Sequence, residues 1–245
     1  MRGGLTRISR FGAFSMLMAG ACPSGAQEPF VHNDTTFLLR DFRTGYHAVF
    51  IAAGNDTVWR TRVASDPGDM AQHKHVRLQA RALEELNVRP APMPADQRGR
   101  RLDRIGVKRL NGGWSLYAPS DWIYHRQMQV SGNWLVTNEM DGPLAHAIVD
   151  RPAPTDGEAI RLRCVSLVSH AMDPRQDTID VRAWRIDPER GIELWEFRDA
   201  YGDCTYEAMA PLEGSSGLPV IVNHRRSGKA REFGFEDPGR HWIAP

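Results

Sequence analysis

The sequence predicts a β-rich α+β fold: a mostly antiparallel sheet, built as a sandwich or an open barrel-like layer, with one main helix near residues 70–87. Three observations predict it. Short runs of alternating apolar and polar residues recur along the sequence, which is the pattern of strands with one buried face. Turn signals separate them, among them Asn111-Gly112, Gly132-Asn133 and Pro188 to Gly191. A sustained helical stripe occurs in one place, and Pro90, Pro92 and Pro94 forbid its continuation.

Residues 36–42 and 46–51 read as strands on either side of Thr44-Gly45. Residues 57–63 read as a third strand. Alternation puts Thr57, Trp59, Thr61 and Val63 on one face and Val58, Arg60 and Arg62 on the other. Asp66-Pro67 and Asp69 then supply helix start signals. Val76, Ala80, Leu83 and Asn87, flanked by Leu78, Ala82 and Leu86, form the stripe, while Lys74, Arg77, Arg81, Glu84 and Glu85 take the solvent side. Residues 88–104 read as a Pro- and Arg-rich loop. Beyond it strands are expected at 105–110, 114–117, 127–131, 134–137, 145–149, 158–168, 178–186, 192–197, 218–223 and 231–235. In 158–168, Ile160, Leu162, Cys164 and Ser166 face away from Arg161, Arg163 and Val165; in 178–186, Ile179, Val181, Ala183 and Arg185 share a face. No fixed period points to a propeller or solenoid.

Composition bounds the function classes. The 245 residues carry 31 Lys and Arg against 30 Asp and Glu, a net charge of +1, so bulk charge gives no reason for a nucleic-acid partner. The sequence is 41% hydrophobic and 25% charged, an ordinary globular balance, and no run is apolar for long enough to span a bilayer as a helix.

The first 26 residues look like a secretory signal. Arg2, Arg7 and Arg10 precede the apolar run Phe11 to Ala21, and Ser24-Gly25-Ala26 offers a small-x-small cleavage site. Residues 27–245 then form a single β-rich exported domain, in the periplasm or on the outer envelope. Ala19-Gly20-Ala21-Cys22 resembles the lipobox of bacterial lipoproteins, with Ala19 where that motif commonly carries leucine. The resemblance implies that Cys22 carries a lipid anchor, the one expected membrane attachment. Of the three cysteines, Cys164 and Cys204 then remain, and an oxidising compartment predicts a disulfide between them. Closing their loop would stabilise the fold by roughly 4 kcal/mol.

Catalytic motifs are missing. The sequence has no Gly-x-Ser-x-Gly, no His-Glu-x-x-His, no phosphate-binding Gly-x-x-x-x-Gly-Lys-Ser/Thr and no Gly-x-Gly-x-x-Gly. No cofactor and no metal are expected. His73 and His75 stand about 200° apart on a helix and cannot share one ion. Two clusters invite binding. Arg98, Arg100, Arg101, Arg104, Lys108 and Arg109 surround a lone Asp103 and suit contact with an anion. Trp114, Tyr117, Trp122, Tyr124 and Trp134 fall within a short span and suit either a core or an aromatic binding patch. The leading expectation is a non-enzymatic exported protein that binds another macromolecule, an envelope protein or polymer, as an inhibitor or immunity-type protein does. A second reading is an envelope hydrolase whose site assembles in space from His170, Asp173, Glu139 and Asp141. A third is a carrier of a small apolar ligand in a barrel interior.

Overall fold

A computed structural model describes residues 30–32, 35–41, 45–51, 57–95, 98–118, 126–139, 142–155, 157–167, 176–223 and 235–239. The fold is β-rich α+β, mostly antiparallel. Strands β1 (Phe30–His32), β2 (Thr35–Asp41) and β3 (Gly45–Ile51) precede helices α1 (Thr57–Val63) and α2 (Lys74–Glu85). Then come β4 (Arg101–Gly106), β5 (Lys108–Leu110), β6 (Gly113–Ala118), β7 (Gln127–Ser131), β8 (Trp134–Glu139) and β9 (Gly142–Asp150). The remainder are β10 (Glu158–Leu167), β11 (Gln176–Asp187), β12 (Ile192–Arg198), β13 (Cys204–Pro211) and β14 (Val220–Asn223).

Eight strands close into a barrel in the order β4-β7-β8-β9-β10-β11-β12-β13. Each pairs antiparallel with its neighbour, and the seam closes through Met209↔Gly106, Ala210↔Ile105 and Pro211↔Arg104. Closure removes the exposed edges that an open sheet would leave, and the barrel is closed where the sequence suggested an open one. The β5–β6 hairpin leaves the wall after β4 and joins a second sheet, ordered β1-β2-β3-β14-β6-β5. In it β14 lies antiparallel to β3 and parallel to β6.

Alternation along the strands sorts the side chains. Met128, Leu135, Ile148, Leu162, Cys164, Val181, Ala183, Trp195 and Met209 meet inside the barrel and fill its middle. On the outer face Ile105, Ile192, Ala208 and Ala210 pack against Leu116, Ala118, Val220 and Val222 of the second sheet, with Val63 of α1 in the same cluster. Helix α2 covers another part of the wall: Val76 packs with Val136 and Ala145, and Leu83 with Ala147 and Val165. Burying a side chain such as Leu83 stabilises by about 2 kcal/mol.

The helical stripe begins later than expected. Asp69 caps a short 3-10 turn at Met70–Gln72, and His73 caps α2, its Nδ1 accepting from the His75 N–H. Asn87, at φ 60°, turns the backbone out of α2, and the loop that follows ends at Arg101, where β4 begins. Gln79 stitches the helix to β9, beyond the last pair that β9 makes with β10, His146↔Ser166. Its Oε1 accepts from the Ala145 N–H at 2.7 Å, and its Nε2 donates to the Pro143 carbonyl at 3.2 Å. Gln79→Ala strands both backbone groups and is expected to cost about 1–2 kcal/mol in urea unfolding. A loss near zero would show that water replaces the amide without cost.

Two readings change. Residues 57–63 are a helix, because Trp59 and Val63 stand one helical turn apart and both reach the cluster between the sheet and the barrel. Strand β13 was not anticipated; its run Ala208-Met209-Ala210-Pro211 lacks β-branched residues. The strand expected at 231–235 falls mostly outside the described residues.

The Cys164–Cys204 disulfide is also overturned: both thiols are free. Cys164 sits on β10 opposite Ile148 and Ile179, and Cys204 on β13 opposite Arg198. Strands β11 and β12 lie between them. Three strand spacings separate the two by about 14 Å, whereas a disulfide needs Cα atoms within about 7 Å. The thiols also face opposite ways: Cys164 belongs to the interior cluster, while Cys204 shares a face with Ala208 of the outer one. Burial pushes the Cys164 thiol up to about 12, so it stays protonated and inert. A thiol reagent is expected to modify Cys204 in the native protein and Cys164 only after unfolding, as read by peptide mass mapping. A peptide pair linked through the two sulfurs would contradict the topology.

Candidate functional site

Helix α1 places Arg60 in the wall of an open cleft of about 740 Å³. Thr61 and Ala64 to Asp66 beside it, Arg101 to Arg104 of β4, and Pro211 to Glu213 with Ser215 and Ser216 at and after the end of β13 supply the rest of its surface. The 3-10 turn Glu213–Gly217 and α1 line the cleft together. Ser215 anchors that turn, buried at 1% exposure with its Oγ donating to the Leu212 carbonyl at 2.7 Å.

The charges around the cleft are mixed and mostly committed. Arg60 Nη1 donates to the Ser216 carbonyl, while its Nε and Nη2 are buried with no hydrogen-bond partner. Arg101 Nε donates to Asp103 Oδ2 at 2.7 Å and its Nη2 reaches Asp66 Oδ1 at 3.4 Å. Arg104 turns inward. Its Nε and Nη2 form a two-pronged bridge to Glu193 at 2.9 and 3.3 Å, with side-chain exposures of 11% and 8%. Trp195 Nε1 donates to the same carboxylate at 3.1 Å. Arg104 therefore connects the cleft to the barrel core.

A second polar group lies inside the barrel. His146 on β9 faces its register partner Ser166 on β10, and its Nε2 stands 3.3 Å from Thr137 Oγ1 on β8. Its Nδ1 is buried without a partner. Burial first, and the nearby Arg126 guanidinium second, push the imidazole down to about 4, so it is neutral at ordinary pH. Arg126 in turn pairs with Glu207 at 2.7 Å and lies over the Phe197 ring. A hydroxyl beside a neutral imidazole has the composition of a proton-transfer pair, but both side chains are sealed, at 2% and 6% exposure.

The residues singled out in the sequence scatter. Of the six basic residues, Arg101 and Arg104 line the cleft, Arg98, Arg100 and Lys108 are exposed elsewhere, and Arg109 pairs with Glu236. The aromatics do not share one face. Trp114 packs between the sheet and the barrel, its Nε1 donating to Asp187 Oδ2 at 3.1 Å. Tyr117, on the other face of β6, meets Phe235 edge to face, and Trp134 lies beneath α2. Trp122 and Tyr124 are outside the described residues, as are Cys22, Asp141, His170, Asp173 and the side chain of Glu139. The strand ends that flank the proposed hydrolase residues, Glu139 with Gly142 and Leu167 with Gln176, share one end of the barrel. Among the described residues, no three His, Cys, Asp or Glu side chains gather as a metal site, and no helix is long and apolar enough to cross a membrane.

Sequence reasoning missed Arg60 because it lay on a run read as a strand. The i,i+4 pair Trp59 and Val63 was the available signal. No family model matches this protein, and no curated protein or solved structure matches it.

Proposed function

We propose that this is an exported binding protein without a catalytic role, and that its cleft beneath α1 receives a segment of a partner protein in the cell envelope. The open cleft of about 740 Å³ carries this reading. It is large enough for several side chains and is lined by α1, β4 and the turn that follows β13. Three arginines and the three acids Asp66, Asp103 and Glu213 line it. That balance disfavours a polyanion, which the acids would repel, and favours the mixed charge of a protein surface. The filled barrel interior leaves little room for the carrier reading. Export rests on the leader in residues 1–26, and Cys22 is proposed as its lipid anchor.

The test uses Thr61→Trp, which fills the cleft from the exposed side of α1. Wild-type protein is expected to recover a saturable partner from envelope extract, with recovery at least tenfold lower for the variant. Recovery of no saturable partner, or equal recovery by both proteins, would overturn the proposal.

A further inference from the structure

We propose that Arg60 anchors the ligand in the cleft and that the group it holds is a carboxylate, from a polypeptide's C-terminus or an Asp or Glu side chain. The inference rests on the cleft being a binding site and adds the chemistry by which it selects. A guanidinium offers two edges, and the edge made by Nε and one Nη matches a carboxylate through two parallel hydrogen bonds. In Arg60 the Ser216 carbonyl occupies Nη1, and the Nε–Nη2 edge is buried without an acceptor. A desolvated cation with two unused donors gains more from an incoming oxyanion than an exposed one does.

The acids nearby are already engaged. Asp103 Oδ2 accepts from Arg101 and its Oδ1 from Gln129 Nε2 at 2.7 Å. Asp66 Oδ1 accepts from the Gly68 N–H at 2.8 Å and from Arg101. Glu193 belongs to Arg104. Glu213 stays exposed at the rim. Arg60 is thus the cation that the cleft leaves for a guest, and it offsets one negative charge. A phosphate dianion would bring a second charge beside Asp66, Asp103 and Glu213, which argues for the monoanion. Ala64, Leu102, Pro211 and Leu212 give the carbon stem of such a ligand apolar contact. The fork is covered from water, so a turn about the outer torsions of the arginine must present it to the cleft.

The experiment follows the Arg60 Nε–H resonance by NMR while acetyl-trialanine is added with a free carboxylate, then with an amidated C-terminus, then inorganic phosphate in its place. The free carboxylate is expected to shift the Arg60 resonance and to bind at least tenfold more tightly than the amide. Arg60→Gln removes that preference, and Arg60→Lys, which keeps the charge and loses the fork, retains little of it. An unmoved Arg60 resonance, equal binding of acid and amide, or tighter binding of phosphate each overturns the inference. If Arg60→Gln does not fold, the wild-type resonance and Arg60→Lys still decide. Carboxylate binding at Arg60 with no partner recovered would sink the partner reading alone. Partner recovery that survives Arg60→Gln would sink this inference alone.

Discussion

Glu193→Ala is expected to lower the unfolding free energy by about 3–5 kcal/mol, a large fraction of what a domain of ordinary stability possesses. The carboxylate is the acceptor for both prongs of Arg104 and for the Trp195 indole N–H. Removing it leaves a guanidinium at 11% side-chain exposure without its counter-charge and a fully buried indole without an acceptor. The cost arises from stranding those groups more than from losing the attraction itself. The pair Arg104→Met with Glu193→Leu is therefore expected to restore most of the loss, since two apolar side chains need no partner. Urea unfolding of the three variants checks both statements. A cost for Glu193→Ala below about 1 kcal/mol would mean that the bridge behaves as a solvent-exposed pair.

Acid is expected to destabilise the protein through His146 by about 3 kcal/mol. The unfolded imidazole titrates near its ordinary 6.5, and the folded one near 4. Above pH 6.5 both states are neutral and the contribution is fully present. Between 6.5 and 4 the unfolded protein takes up a proton that the folded one refuses, so stability falls by about 1.4 kcal/mol per pH unit. Below 4 the loss is complete. The refusal comes from the dry interior beside Thr137, reinforced by the positive charge of Arg126. The difference between wild type and His146→Gln, measured by urea unfolding from pH 7.5 to 3.5, isolates this group from the carboxylates that titrate nearby. A flat difference would place the imidazole in water.

Legibility in the sequence followed how locally each feature is determined. The face assignment of Ile160, Leu162, Cys164 and Ser166 was readable because a pleated strand enforces a period of two, and all four point into the barrel. Asn111-Gly112 was readable because φ values of 49° and 78° suit that dipeptide and few others. Helix α2 was readable from its stripe, although Leu78 ended half exposed. Helix α1 was not, because Thr57, Val58, Thr61 and Val63 favour strands by propensity and only the distant cluster that takes Trp59 and Val63 decides otherwise. Nor could local pattern reveal how many strands stand between Cys164 and Cys204, which depends on the unforeseen β13 and on the order of the wall. The cleft shared that fate: Arg60 and Ser216 are 156 residues apart, and nothing local joins them. The basic residues 98–109 were visible as a cluster, yet Arg104 turned into the core because alternation along β4 sets it beside Leu102 and Gly106 rather than Arg101.

The second sheet has a late arrival at its centre. Strand β3 meets β2 on one side, and its other neighbour, β14, lies about 170 residues further along the sequence, a separation that makes such pairing slow. During synthesis the opening hairpin must therefore wait, with one edge bare, while the whole barrel is made. Ending translation before Val220 would leave β3 with one neighbour and separate β1 to β3 from β6. The strand that locks this early hairpin into the second sheet emerges from the ribosome only after the barrel wall.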